Sequence, residues 1–227
     1  MGNITKKVLG EVHGKIGDLR FYERDGKNII STRPNSFMPG TDEKSINRRA
    51  RFALAAKFSE AINDTPQIKY FWKKDKPEGL NSYNYIIRKN FPFVLSDSIT
   101  SSAVLVPEFG FGVTASSVSI APASVSVELN PVGHNNSIDP AVELNCQLSL
   151  IIYLSNPMLE SYEPYTFINL VSTILPLDLD ANLSFSITPE SALQQLMNSY
   201  QDSFGYFSLI TLGDNNQPVH YSTTFTS

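Results

Sequence analysis

Arginines and lysines interleaved with aromatic rings are the residues of this chain best suited to chemistry, and that chemistry is recognition of negative charge. Three clusters carry them: Arg48, Arg49 and Arg51; Tyr70, Phe71, Trp72, Lys73 and Lys74; and the run from Tyr83 to Arg88 and Lys89. Arg20 and Arg24 add cations on a strand-like segment. Aromatic faces beside guanidinium and ammonium groups form the combination that nucleic-acid binders use. The plainer reading is that the rings line a small core and the charges are its solvated face. A third reading docks the basic face on the acidic part of a neighbouring copy.

Other reactive side chains form no catalytic set. His13, His134 and His220 are scattered, without the i+2 or i+4 partners of a metal site, and read as loop or strand-end residues. Gly110, Gly112 and Ala115 match a dinucleotide-binding pattern in form only, because the segment opens a strand and lacks the helix dipole that holds a phosphate. Asp178, Asp180 and Asn182 alternate as calcium ligands can, yet lack the glycine and distal glutamate of an EF-hand, so a solvated turn is expected. Glu160 and Glu163 are near each other in a Pro- and Tyr-rich loop, with nothing further to support acid–base work. Cys146, the single cysteine, sits among Val142, Leu144 and Leu148 and reads as an inert core thiol. No nucleophile elbow or phosphate-binding loop is present. The expectation is a non-enzyme with no catalytic residues, no metal site and no cofactor.

The cations are distributed unevenly. All 18 Lys and Arg lie in residues 1–89 with 10 of the 22 acidic residues, so that part is about +8 and the remainder about −12. Ordinary usage would put roughly fifteen basic residues in the last 138. A chain with a positive and a negative end favours head-to-tail association, or rests one end on a polyanion.

The elements that must position these groups follow from pattern. Residues 16–34 read as a β-hairpin about Asp25-Gly26, with Leu19 and Phe21 on one face and Arg20, Tyr22 and Arg24 on the other. Residues 41–63 read as a helix capped by Thr41, with an apolar stripe of Ile46, Ala50, Ala53, Leu54, Phe58, Ala61 and Ile62. Thr65-Pro66 starts a second helix and Ser82–Asn90 makes a third. Beyond Ser96 the chain is strand-like, with strands expected at 102–106, 113–120, 124–129, 142–154, 166–174, 182–188, 206–212 and 219–225. One helix interrupts them, capped at Thr188 with Pro189 in its first position. Without Lys or Arg, such a sandwich has few gatekeepers on its edges and needs acidic repulsion or a neighbour to protect it.

The run Gly14, Ile16, Gly17, Leu19, Gly26-Lys27 and Arg33-Pro34, then Asn47, Arg48 and Phe52, then Gly79, Tyr83, Asn84 and Asn90, resembles an uncharacterised bacterial family. Its members open with a "GKIGNL…GK…VRxRP" hairpin, continue with a "QxxxRxxF" helix and end in a β-rich half. This chain departs from that pattern at Asp18, Ser31-Thr32 and Ser45. The resemblance implies a two-part architecture and no activity.

The expected fold is therefore mainly β. A basic module of hairpin and helices (1–95) joins an acidic antiparallel β-sandwich (96–227), Ig-like or jelly-roll, and the two parts either pack together or sit on a hinge near Asn90–Ser96. The expected function is that of a self-assembling structural protein, a subunit of a filament, shell, surface layer or phage-like particle. Its assembly or polyanion-binding residues are Arg20, Arg24, Arg48, Arg49, Arg51, Trp72, Lys73, Lys74, Arg88 and Lys89, and its partners are copies of itself or other proteins of the assembly. The alternative is a binding module, for nucleic acid through the basic part or for glycan through Tyr162, Tyr165 and Tyr206. No 18-residue apolar run predicts a membrane span. The N-terminus has no secretory h-region, and Lys6 stands where myristoylation needs Ser or Thr, so cytoplasmic synthesis is expected, with release in a particle or extracellular assembly.

Overall fold

A computed structural model describes residues 2–4, 14–24, 27–32, 38–134 and 137–227. The chain divides into two compact units, 1–46 and 47–227. In the first, strands β1 (Gly2–Ile4), β2 (Gly14–Ile16), β3 (Leu19–Arg24) and β4 (Lys27–Thr32) form one antiparallel sheet in the order β1-β4-β3-β2. The expected hairpin is β3 paired with β4, from Leu19↔Thr32 to Arg24↔Lys27. The Asp25-Gly26 turn, Arg33-Pro34 and His13 lie outside the described residues.

Helix α1 (Glu43–Asp64) begins one residue after Asp42, whose Oδ1 accepts from Ser45 N at 2.9 Å, so Asp42 takes the capping role expected of Thr41. Helix α2 (Pro66–Asp75) has proline in its first turn; the Thr65 hydroxyl donates back to Ala61 O and does not cap. Helix α3 (Ser82–Asn90) is capped by Asn81, which accepts from Asn84 N at 2.7 Å, and runs into a 3-10 turn at Phe91–Phe93.

Next come β5 (Ala115–Ala121), β6 (Ser124–Leu129), β7 (Asn145–Pro157), β8 (Tyr165–Val171), β9 (Leu175–Pro176), β10 (Leu183–Ile187), α4 (Ser191–Asn198), β11 (Tyr200–Leu212), β12 (Pro218–Tyr221) and β13 (Phe225–Thr226). They build a three-stranded antiparallel sheet, β10-β6-β5, and a six-stranded antiparallel one, β12-β11-β7-β8 with β13 on β11 and β9 on β7. The long ribbon of β7 and β11, paired from Tyr200↔Pro157 to Leu212↔Asn145, is its spine.

That ribbon is buried on both faces. Cys146, Leu148, Leu150, Ile152 and Leu154 of β7, with Phe207 and Leu209 of β11, meet Val125, Val127, Leu129, Leu183, Phe185 and Ile187 of the three-stranded sheet. This is the core of the expected sandwich. Ile151, Tyr153, Tyr206, Ile210 and Leu212 point the other way, into a second core with Leu54, Phe58 and Ile62 of α1, Ile68, Phe71 and Trp72 of α2 and Ile86 of α3. The second unit thus has three layers, and the boundary expected at 95–96 falls inside it. The apolar stripe of α1 needs a partner surface, and the back of the six-stranded sheet supplies it. Only the stripe from Leu54 onward is buried; Ile46 and Ala53 are exposed.

No strand forms at 102–106, although Ala103, Leu105 and Val106 are buried. Side chains meet this segment's backbone needs. The amide of buried Asn90 both donates to Val104 O (3.0 Å) and accepts from Val104 N (2.8 Å). Thr224 Oγ1 accepts from Leu105 N (2.8 Å), and Trp72 Nε1 donates to Leu105 O (2.6 Å).

Candidate functional site

Charge follows the layers. Every Lys and Arg of the second unit lies between Arg48 and Lys89, on α1, α2, α3 and their connections. The opposite layer has none. Its outer face is a ladder of small hydroxyls around one carboxylate: Ser117↔Glu128↔Ser184, then Ser119↔Ser126↔Ser186. Strands put alternate residues on opposite faces, so the same alternation that buries Val125, Val127 and Leu129 exposes these serines.

The anticipated basic residues have different fates. Arg48, Lys73 and Arg88 are exposed on α1, α2 and α3, and Arg49 is exposed while engaged in an interaction of its own. Arg51 turns inward: its Nη2 donates to Phe91 O at 2.8 Å and its guanidinium lies 4.3 Å from the Phe91 ring centre. Lys74 sits over the Tyr70 ring at 4.6 Å. Lys89 pairs with Glu108 at 3.1 Å, and that hydrogen bond raises its pKa. Arg20 belongs to the first unit, 5.6 Å from the Tyr22 ring, and Arg24 is described in its backbone alone. Trp72 requires correction. It is fully buried with its indole N–H satisfied, so it offers no stacking face to a ligand. The plainer reading of that cluster, aromatic core beneath a charged surface, describes Phe71 and Trp72.

At the end of this layer α3 and the 3-10 turn border a groove of about 450 Å³. Pro77, Tyr85, Pro92 and Phe93 line it with apolar surface, Arg88 and Lys89 give it positive charge, and Glu108 stands on its edge. Burial, then the nearby Asp75, raises the Tyr85 phenol.

A second polar cluster was not visible in the sequence. Glu143 is 1% exposed. Its Oε1 accepts from Asp139 N (2.8 Å) and lies 3.0 Å from His220 Nδ1, and its carboxylate also accepts from the Thr211 hydroxyl. His220, expected as a surface residue, is half-buried and tied by its own N–H to Thr211 Oγ1 at 3.0 Å. No Lys or Arg follows Lys89, and the titratable side-chain partner this buried carboxylate meets is an imidazole. The partners are 77 residues apart, and no local motif links them.

The remaining candidates are dispersed. Asp180 pairs with His134 at 3.1 Å and donates its N–H to Asp178 Oδ1, while Asn182 donates to Glu128. Among the described residues no group of three His, Cys, Asp or Glu side chains is arranged to hold a metal ion. Glu163 makes an ion pair with Lys57 and raises its pKa, whereas Glu160 is exposed. Burial pushes the Cys146 thiol up to about 12, as an inert core thiol requires. Of the three tyrosines considered for glycan, Tyr162 is exposed, Tyr165 is half-buried and Tyr206 is fully buried, its hydroxyl donating to Thr100 O at 3.0 Å. Tyr206 is thereby removed from any surface role. Among the described residues no helix is long and apolar enough to cross a membrane.

No protein-family model and no curated protein matches the chain. Among solved structures it is similar to the solution structure of the sensor domain of the anti-sigma factor RsgI4 in Pseudobacteroides cellulosolvens. That likeness covers 52% of this chain and 73% of the other, at 15% identity and a TM-score of 0.30.

Proposed function

We propose that the protein is a non-enzymatic structural subunit whose copies associate head to tail. The basic helical layer of one copy meets the cation-free serine-and-carboxylate face of the next, building a filament, shell, surface layer or phage-like particle. One observation carries this reading: within a single folded unit every Lys and Arg lies on the helical layer, and the outer face of the three-stranded sheet has none and carries Glu128 among serines. A cationic face and a cation-free face bearing a carboxylate on opposite sides of one body can meet under translation, which generates open chains. The strands β5 and β10 at the edges of the three-stranded sheet contain no Lys, Arg or Pro, so they lack the usual guards against pairing with a neighbour. The nucleic-acid alternative loses Trp72 as a stacking face and rests on the exposed cations with the partly buried Tyr70 and Tyr85.

Charge reversal tests the proposal. Arg48→Glu with Lys73→Glu alters exposed positions and leaves Arg51, which helps hold the fold, in place. The variant should remain folded and lose large assemblies in low salt. Undiminished assembly of the folded variant contradicts the proposal. Steeply salt-dependent retention of single-stranded DNA by a monomeric wild type would favour the polyanion-binding alternative instead.

A further inference from the structure

Phe109 is 95% exposed and held at φ +75°, a left-handed conformation that disfavours a bulky side chain. The residues around it are fixed. Glu108 O accepts from the Tyr221 hydroxyl (3.2 Å), Phe111 N donates to Tyr221 O (3.0 Å) and Thr223 N donates to Phe111 O (2.8 Å). Gly110 lies so close to the 221–223 segment that a Cβ there would stand 2.6 Å from the Ser222 carbonyl carbon. The loop is clamped on both sides of one ring that faces solvent, at a backbone angle where glycine is the low-energy choice. Strain and exposure together, on a rigid base, mark a residue shaped for contact and not for stability.

Its neighbour Glu108 forms one edge of the apolar groove beside α3. Anchor and groove are therefore adjacent on one surface. A two-fold axis through that surface seats each copy's ring in the other's groove, the reciprocity that a symmetric dimer requires. The charges agree: the Glu108 carboxylate, paired with Lys89 of its own copy through one oxygen and still 60% exposed, is carried in beside the ring and meets Arg88 at the groove of the other copy.

We infer that this surface is a symmetric homodimer contact in which Phe109 of each copy occupies the Pro77, Tyr85 and Phe93 groove of the other, with Glu108 paired to Arg88 across the interface. This contact goes beyond the head-to-tail reading and does not depend on it.

Sedimentation and light scattering from about 1 to about 200 µM, in about 300 mM salt to suppress long-range charge association, read it directly. The wild type should dimerise. Phe109→Gly should weaken the dimer by ~100-fold or more, as loss of an anchor in both halves implies, while its melting temperature stays level or rises by ~2–4 °C. Arg88→Glu and Glu108→Arg should each be monomeric alone, because like charges then face each other twice. Mixing the two variants should restore a heterodimer in which both pairs are again opposite. A wild type that stays monomeric throughout this range overturns the inference. Undiminished dimerisation of Phe109→Gly also overturns it, and so does failure of the mixed variants to pair. The high salt keeps any of these results separate from the head-to-tail proposal, which is scored by what dissolves as salt rises.

Discussion

The two faces of the β7–β11 ribbon are both buried, yet they are sealed by different means. Toward the three-stranded sheet the seal is mainly aliphatic, with Leu148, Leu150 and Ile152 against Val125, Val127 and Leu129. Toward the helices it is aromatic with polar handles: Phe58 packs 5.1 Å from Tyr206, Phe71 lies 4.4 Å from Tyr221, and Trp72 and Tyr206 donate to backbone carbonyls of the 99–105 segment. Polar ties supplement it, including Asn169 to Ala61 O at 2.7 Å and Gln67 to Gln147 at 3.1 Å. The contrast shows how one sheet supports a fixed helical layer bearing every Lys and Arg of the second unit and a plain sheet bearing none. Aliphatic packing asks only for shape. The helical face also holds an irregular segment whose backbone must be satisfied by side chains.

Truncation tests both faces at once. Trp72→Ala should cost ~4 kcal/mol and Leu150→Ala ~3 kcal/mol, since each opens a cavity in a dry core. Conservative changes should separate them. Tyr206→Phe keeps the ring and should cost a hydrogen-bond increment of ~1 kcal/mol that Leu150→Met lacks, and Trp72→Phe should cost more again because it also gives up the second buried ring. Chemical-denaturation midpoints measure this, and equal costs for all three conservative changes would erase the distinction.

Glu143 sharpens the comparison within the sheet domain. Its replacement by Ala leaves the Thr211 hydroxyl and the Asp139 N–H without their acceptor and should cost ~2 kcal/mol. His220→Ala should be milder, because His220 is partly solvated. A double-mutant cycle reads their coupling, and a cycle energy of zero would mean that the pair is incidental.

Alkaline pH should act on both faces in turn. The Cys146 thiol is raised from 9.0 to about 12 and the Tyr206 phenol is raised above 10.0, both by burial. Above pH 9.0 the unfolded chain loses the thiol proton while the folded chain keeps it, so stability is full below pH 9.0 and falls as pH rises toward 12. The slope should approach ~1.4 kcal/mol per pH unit, with tyrosines and Lys57 adding to it at higher pH. Cys146→Ala should flatten the region between 9.0 and 10.0 and leave the steeper loss beyond. An unchanged slope in that variant would place the effect elsewhere.

Much of this architecture is legible in the sequence where the signal is local. Pro66 and the apolar spacing of Ile68, Phe71 and Trp72 announce α2, and the strict alternation of Val125, Val127 and Leu129 announces β6. The regularity of Cys146, Leu148, Leu150 and Ile152 shows only one face of β7. Ile151 and Tyr153 fill the other, and a strand covered on both sides reads as a continuous apolar run. Hence the pattern shows two parts without showing that they pack, because the partner surface of the helices is hidden in a strand already assigned. Trp72 looked like a stacking residue because a cation-rich run is also what a buried helix face with solvated neighbours looks like. Val104 and Leu105 have strand composition, yet Asn90, Thr224 and Trp72 bind their backbone from distant positions. The Glu143–His220 pair has no signal below the level of the fold.

The central claim is that charge separated onto opposite layers drives head-to-tail association. Light scattering with negative-stain microscopy of the wild-type protein, at about 50 mM and about 500 mM salt, tests it most directly. The account predicts regular assemblies at the lower salt that shorten or dissolve at the higher. Particles of one size at both salts, no larger than the symmetric dimer, would contradict it.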